Sequence, residues 1–287
     1  MPDYSYILAD VFTSRAYGGN PLAVLPDAAG LDGVQMQAIT REFNLSETTF
    51  VTPGSAAGRF AVRIFTPGGE LPFAGHPTVG TALVLRYLGR TAGPEIVLEL
   101  GVGPVRVEFG DGNNATFFRE GPAEAEMLPD LRAGIGEAIG QPLAGDPWQA
   151  SYGTPFVMVP LADRAAVSAA RLRSDLWEAL APRMWRPNAY VFAPTGPDSL
   201  RARMFSTILG VREDPATGSA AAALVGSLPR PDGHHRVAIA QGVEMGRPSL
   251  IRASVTRAGG VVTGISIGGG AVVVGEGRLL RLPDTGQ

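Results

Sequence analysis

Residues 63–81 read RIFTPGGELPFAGHPTVGT, and residues 203–223 read RMFSTILGVREDPATGSAAAA. Each stretch carries arginine, an apolar residue and phenylalanine, then a glycine turn, then Glu-x-Pro-x-x-Gly, and each runs on into a helical pattern. An offset of 143 pairs Glu70 with Glu213, Pro72 with Pro215, Gly75 with Gly218 and His76 with Ser219. Working outward, SETTFVTP (46–53) lies against PNAYVFAP (187–194) at an offset of 141, and Gly19-Asn20-Pro21 against Gly153-Thr154-Pro155 at 134. The matches keep one order, and the growing offset is what small loop insertions in the second copy produce. The chain therefore reads as one structural unit duplicated end to end, with chemistry expected where the halves face each other.

Between these landmarks, short β-branched or aromatic runs alternate with turn residues: 6–11, 22–25, 48–51, 59–65, 95–100, 105–109, 115–119, 156–159, 189–192, 202–205, 237–240, 250–255, 261–267 and 271–274. They predict strands of curved antiparallel or mixed sheets. Amphipathic helices are expected over 32–44 and 165–180. Two further helices, 77–88 and 220–228, are apolar on nearly every face, which means burial on all sides. The expected fold is α+β, with two pseudo-symmetric domains, each a β-barrel-like curved sheet around a central helix. The first domain spans 1–120, completed by a C-terminal strand in 270–287; the second spans 121–269, and the Gly/Pro/Ala-rich 121–147 contains the crossover between them.

Composition narrows the chemistry. The 287 residues carry a formal charge of −3 without a basic run, so no nucleic-acid partner is expected. Neither a leader pattern nor a run of roughly 18 to 20 apolar residues is present, so the expectation is a soluble cytoplasmic protein with no membrane partner. Cysteine is absent and all 24 basic residues are arginine, which removes thiolate nucleophiles, Schiff-base lysines and Walker loops. Carboxylates, histidine, hydroxyls and backbone dipoles remain.

Pro77 suits a first helical position, placing His76 at an N-cap with Ser219 in the equivalent place. The open amides at both helix starts suit a substrate carboxylate. His234 and His235 lack a third suitably spaced ligand, so no metal is expected. Glu47 falls at a strand start where the other copy has Asn188, and Asp214 stands where the first copy has Leu71. One carboxylate doing proton transfer opposite a half that only binds would leave this asymmetry. Glu70 and Glu213 occur in both copies and read as turn or capping residues.

The set GGNPLAV (18–24), LSETTFV (45–51), ELPFAGHPTVGTA (70–82), REDPATGSAAA (212–222) and QGVEMGRPSLI (241–251) resembles the PhzF family of phenazine biosynthesis over almost the whole chain. The resemblance implies the diaminopimelate-epimerase-like fold and the isomerisation of trans-2,3-dihydro-3-hydroxyanthranilate. It further implies Glu47 as proton carrier, His76 and Asp214 assisting, and Gly75, Gly218 and Ser219 near the substrate carboxylate. No cofactor or metal is implied, and a homodimer is. Epimerases of that fold place a cysteine before the glycine in each half; Ala74 and Thr217 stand there in this chain, which rules out two-thiol racemisation. Two other readings stay open: a catalytically silent small-ligand-binding or scaffolding protein, and a hydrolase or lyase using Ser219, which lacks an adjacent base.

Overall fold

A computed structural model describes residues 4–208 and 212–284. The chain divides into two units, Met1–Phe118 with Gly268–Gln287, and Arg119–Ile267. In the first, β1 (Tyr4–Val11), β2 (Asn20–Leu25), β3 (Glu47–Pro53), β4 (Arg59–Thr66), β5 (Gly69–Leu71), β6 (Glu95–Leu100), β7 (Gly103–Phe109) and β8 (Asn114–Glu120) accompany helices α1 (Gly33–Phe43) and α2 (Gly75–Tyr87). The second holds β9 (Glu124–Met127), β10 (Trp148–Ser151), β11 (Pro155–Pro160), β12 (Asn188–Gly196), β13 (Ser199–Ser206), β14 (Glu213–Asp214), β15 (Gly233–Gln241) and β16 (Ser249–Ala258). Its helices are α3 (Arg132–Ile139), α4 (Arg164–Ala169), α5 (Ser174–Leu180) and α6 (Gly218–Ser227). A final strand, β17 (Val261–Leu279), begins in the second unit and ends in the first.

The strand pairings repeat in detail. In the first unit β1–β2 is antiparallel, β2–β3 parallel, β3–β4 antiparallel, β4–β6 parallel and β6–β7 antiparallel. The series β10–β11, β11–β12, β12–β13, β13–β15, β15–β16 has the same senses in the same order. Register agrees residue by residue: Ala23 pairs Thr48 as Val157 pairs Ala189, and Ile64 pairs Leu71 as Met204 pairs Asp214. β7–β8, β8–β17 and β17–β1 close the first unit into a mixed barrel. In the second, β9 pairs β10, and Gly121 N donates to Thr263 O beside it. The parallel pairs require crossovers, supplied by α1 and α2 in one copy and by α4–α5 and α6 in the other.

α2 and α6 are the central helices. Every residue from Gly75 to Leu85 and from Gly218 to Gly226 is buried, as uniform apolarity requires. Strands come so close to α2 that a Cβ on Gly80 would sit 2.6 Å from both Leu22 Cδ2 and Val11 Cγ2, and those side chains are themselves fully buried. Gly80→Val is therefore expected to cost about 2 kcal/mol or more, overpacking outweighing the gain of about 1 kcal/mol or less in helix propensity. Denaturant unfolding measures it; an unchanged midpoint would refute the close packing. The outer helix α1 is fixed by an Asp32–Gln35 capping box and a left-handed Asn44 C-cap, burying Met36 and Ile39 against Leu25, Phe50 and Phe65.

Four expectations need correction. The helix expected over 165–180 is two, because the amides of Arg171 and Arg173 turn aside to the carbonyls of Ile139 and Ala138 at the end of α3. That third helix was concealed in the glycine-rich 121–147, where Ile135, Ala138 and Ile139 face the core. The runs 261–267 and 271–274 form one strand, continuous through Gly268–Gly270. Finally, α2 begins at Gly75 with Ala74 as N-cap, and α6 at Gly218 with Thr217 as N-cap. His76 and Ser219 thus lie inside their first turns, and Pro77 is tolerated there because first-turn amides have no intrahelical partner anyway.

Candidate active site

Three strand and helix starts meet in the first unit. Val11 pairs Asn20 where β2 begins, and Leu22 pairs Glu47 where β3 begins, so the parallel pair sets Asn20 and Glu47 at one end of the barrel. The first turn of α2 adds His76. Its Nδ1 lies 3.2 Å from Asn20 Nδ2, and its Nε2 lies 3.5 Å from Glu47 Oε2. Asn20 and His76 are buried, and the Glu47 side chain is only 15 % exposed.

Burial dominates the electrostatics of His76. Desolvation pushes its pKa down to about 3, with the Pro21 carbonyl pulling weakly the other way. The ring is neutral near pH 7, so its contact with Glu47 is that of a neutral imidazole, not an ion pair. The Asn20 amide can donate to Nδ1 in the tautomer that carries the ring proton on Nε2, toward Glu47. A neutral ring so placed can donate to a carboxylate without repelling the proton that Glu47 would acquire.

At the equivalent strand start of the second unit, Asn188 is fully buried; it accepts from Ser206 Oγ at 2.9 Å and donates to Pro155 O at 3.4 Å. It is a structural amide. Asp214, also buried, accepts from Thr217 Oγ1 at 2.6 Å. Gln241, at the end of β15, bonds Thr217 N, Thr217 Oγ1, the Asp214 carbonyl and the Tyr190 hydroxyl. Burial, with the Asp214 charge adding to it, pushes the Tyr190 phenol up. Gly218 and Ser219 are buried in the next turn, and the first intrahelical bond of α6 runs from Ala221 N to Thr217 O. In α2 the corresponding bond is Thr78 N to Ala74 O, so the Gly75 and His76 amides precede it.

The glutamates shared by both copies do something other than cap. Glu70 takes two bonds of 2.7 Å from Arg63, and Glu213 takes bonds of 2.7 and 2.9 Å from Arg203. Each arginine also stacks on its neighbouring phenylalanine, Phe65 or Phe205. The Arg63 pair is half-exposed and contributes little. Arg203 is buried and also donates to the carbonyls of Val167, Ser168 and Ala170, pinning the end of α4.

Sequence reasoning passed over Asn20, Tyr190 and Gln241. Asn20 and Gln241 stand in the quoted motifs, yet neither titrates, and only the contacts reveal what they hold. Among the described residues no cluster of three or more His, Asp or Glu could hold a metal. No helix among them is long and apolar enough to cross a membrane.

The PhzC-PhzF family, described as phenazine biosynthesis-like protein, matches residues 9–277. The chain belongs to this family. A PhzC-PhzF relative from Mesorhizobium japonicum, named an uncharacterized isomerase, is 41% identical over 97% of this chain and 99% of its own. The trans-2,3-dihydro-3-hydroxyanthranilate isomerase of Pseudomonas aeruginosa is 38% identical over 96% and 99%. A PhzF-family crystal structure from Bacillus anthracis superposes with a TM-score of 0.88, covering 98% of this chain and all of the other at 23% identity, which establishes the shared fold. The activity class of these PhzC-PhzF relatives is isomerisation, and this chain is an isomerase of the same family.

Proposed function

We propose that the protein is a cofactor-independent isomerase that moves a proton on a small carboxylate-bearing substrate, acting on trans-2,3-dihydro-3-hydroxyanthranilate or a close analogue. The observation that carries this reading is the buried Glu47–His76–Asn20 group, present in one copy of a duplicated unit, while in the other copy the position of Glu47 is taken by the hydrogen-bonded amide Asn188. In this reading the Glu47 carboxylate takes a proton from one carbon and delivers one to another, its carboxyl proton exchanging with solvent between the two transfers through the small part of the side chain that stays exposed, so atoms and electrons balance without oxidant or co-substrate. Shielding from water suits a carboxyl group to that shuttle. Neutral His76 steadies the carboxyl group in both protonation states, and Asp214 assists. The amides of Gly75, Gly218 and Ser219 are assigned to the substrate carboxylate and to the anionic character that develops as the proton leaves. The protein is proposed to act in the cytoplasm as a homodimer.

Incubating the purified chain with trans-2,3-dihydro-3-hydroxyanthranilate in D2O, without added metal or cofactor, tests the proposal. Incorporation of one solvent deuterium into the product, seen by NMR, is expected. Saturable binding with no incorporation would instead favour a silent binding protein.

A further inference from the structure

With the Asp214 carboxyl group ionised, the hydrogen bonds between Asp214, Thr217 and Gln241 have one consistent set of donor directions. Thr217 N is a backbone amide and must donate, so the Gln241 atom it meets at 3.2 Å is the carbonyl oxygen Oε1. Gln241 Nε2 is then the amide nitrogen, which agrees with its 2.8 Å contact to the Asp214 carbonyl, a group that can only accept. The same nitrogen donates to Thr217 Oγ1 at 3.0 Å. That bond occupies a lone pair of the hydroxyl and leaves its single proton to go elsewhere; 2.6 Å away lies Asp214 Oδ2. Two backbone groups thus fix the glutamine, the glutamine fixes the hydroxyl, and the hydroxyl donates to the carboxylate. The Tyr190 hydroxyl completes the set by donating to Gln241 Oε1 at 3.1 Å, and it is the titratable group that faces Asp214 from β12.

The duplication shows that the fold does not need this network. At the matching positions of the first unit stand Leu71 for Asp214, Ala74 for Thr217, Leu100 for Gln241 and Thr49 for Tyr190. The first unit makes the same strand pairs, Ile64 with Leu71 and Phe65 with Glu70, and starts its central helix at the same place with apolar residues at three of these positions and, at the fourth, a threonine that hydrogen-bonds Thr81 instead. A buried polar network is costly unless every member is satisfied, and here it occurs only in the copy that carries the carboxylate.

We infer that Thr217 and Gln241 are positioning residues that hold a hydroxyl proton on Asp214 Oδ2, fixing the orientation of that carboxylate and favouring its ionised form. The inference rests on the reading in which Asp214 assists the isomerisation. Because the two residues act through Asp214, their loss changes turnover and leaves substrate affinity alone.

Thr217→Val removes the hydroxyl at nearly constant volume, and Thr217→Ser restores it. With trans-2,3-dihydro-3-hydroxyanthranilate, kcat of Thr217→Val is expected to fall about tenfold or more with KM within about twofold, as for a group acting only in the transition state. Its acidic limb should move to higher pH, because a donor to the charged form has been lost. Thr217→Ser should recover both to within about threefold. Where valine prevents folding, Thr217→Ala, the residue of the first copy, serves in its place. A Thr217→Val enzyme with full kcat and an unmoved limb, or a Thr217→Ser enzyme as impaired as the valine variant, would overturn the inference. The resting protein offers an independent check, since the Thr217 hydroxyl proton should appear as a protected low-field 1H NMR signal that Thr217→Val abolishes. Absence of that signal would overturn the geometry itself. The kcat comparison is made only once Glu47→Gln has silenced exchange, so failure of the isomerase reading is told apart from failure of this one.

Discussion

Glu47→Gln is expected to lower solvent-deuterium incorporation into trans-2,3-dihydro-3-hydroxyanthranilate by roughly 10²–10⁴-fold, the usual contribution of a positioned general base, while binding stays within a few fold. Glutamine has nearly the same shape, and its Oε1 can still meet His76 Nε2, now 3.5 Å from the carboxylate. Only the capacity to take and return a proton is removed. The variant should fold, because the second unit already places an amide, Asn188, at the same point of the same parallel strand pair. Exchange is followed by NMR or mass spectrometry and binding by calorimetry. Exchange at the wild-type rate would remove Glu47 from the mechanism, whereas loss of binding together with exchange would make it a substrate ligand.

Much of this architecture was legible in two nineteen- to twenty-one-residue stretches, because duplication writes the same turn chemistry twice. Arg63 and Arg203 stack on Phe65 and Phe205 and clasp Glu70 and Glu213, so the repeated letters record one repeated local structure. The apolar helices were equally readable, since burial on every face leaves no polar stripe to disguise them. What escaped notice depends on contacts distant in sequence. α3 carries Gly134 and Gly136, which mark a loop by composition, and it is stabilised through Ile135, Ala138 and Ile139 packing against strands far along the chain. Both helix starts were displaced by two residues because Gly75 and Gly218 adopt helical geometry rather than the turn their composition suggests. Asn20 lies 56 residues from His76 and Gln241 lies 27 from Asp214, and no local pattern predicts such pairings.

Burial of His76 gives the fold an acid sensitivity that the sequence alone does not foretell. An imidazole that titrates near 6.5 in the unfolded chain and near 3 in the folded one binds its proton first in the unfolded state as pH falls. Stability is therefore complete above pH 6.5 and declines as pH drops toward 3. The paired carboxylates Glu70 and Glu244, also held low in the folded state, begin to matter only near their ordinary value of 4.5. The interval from pH 6.5 to 4.5 is consequently where His76 acts ahead of these two glutamates. Across these two pH units its contribution is about 2–3 kcal/mol, at 1.36 kcal/mol per unit, a large part of the roughly 5–15 kcal/mol that holds a domain together. Urea unfolding of the wild type at closely spaced pH should show this loss, and His76→Gln, which cannot titrate, should flatten it. Parallel curves for the two proteins would mean that the folded state accepts the proton, and the neutral imidazole on which the Glu47 chemistry depends would have to be abandoned. The same burial that makes the ring a partner for a carboxylate that gains and loses a proton thus also sets the pH below which the barrel begins to give way.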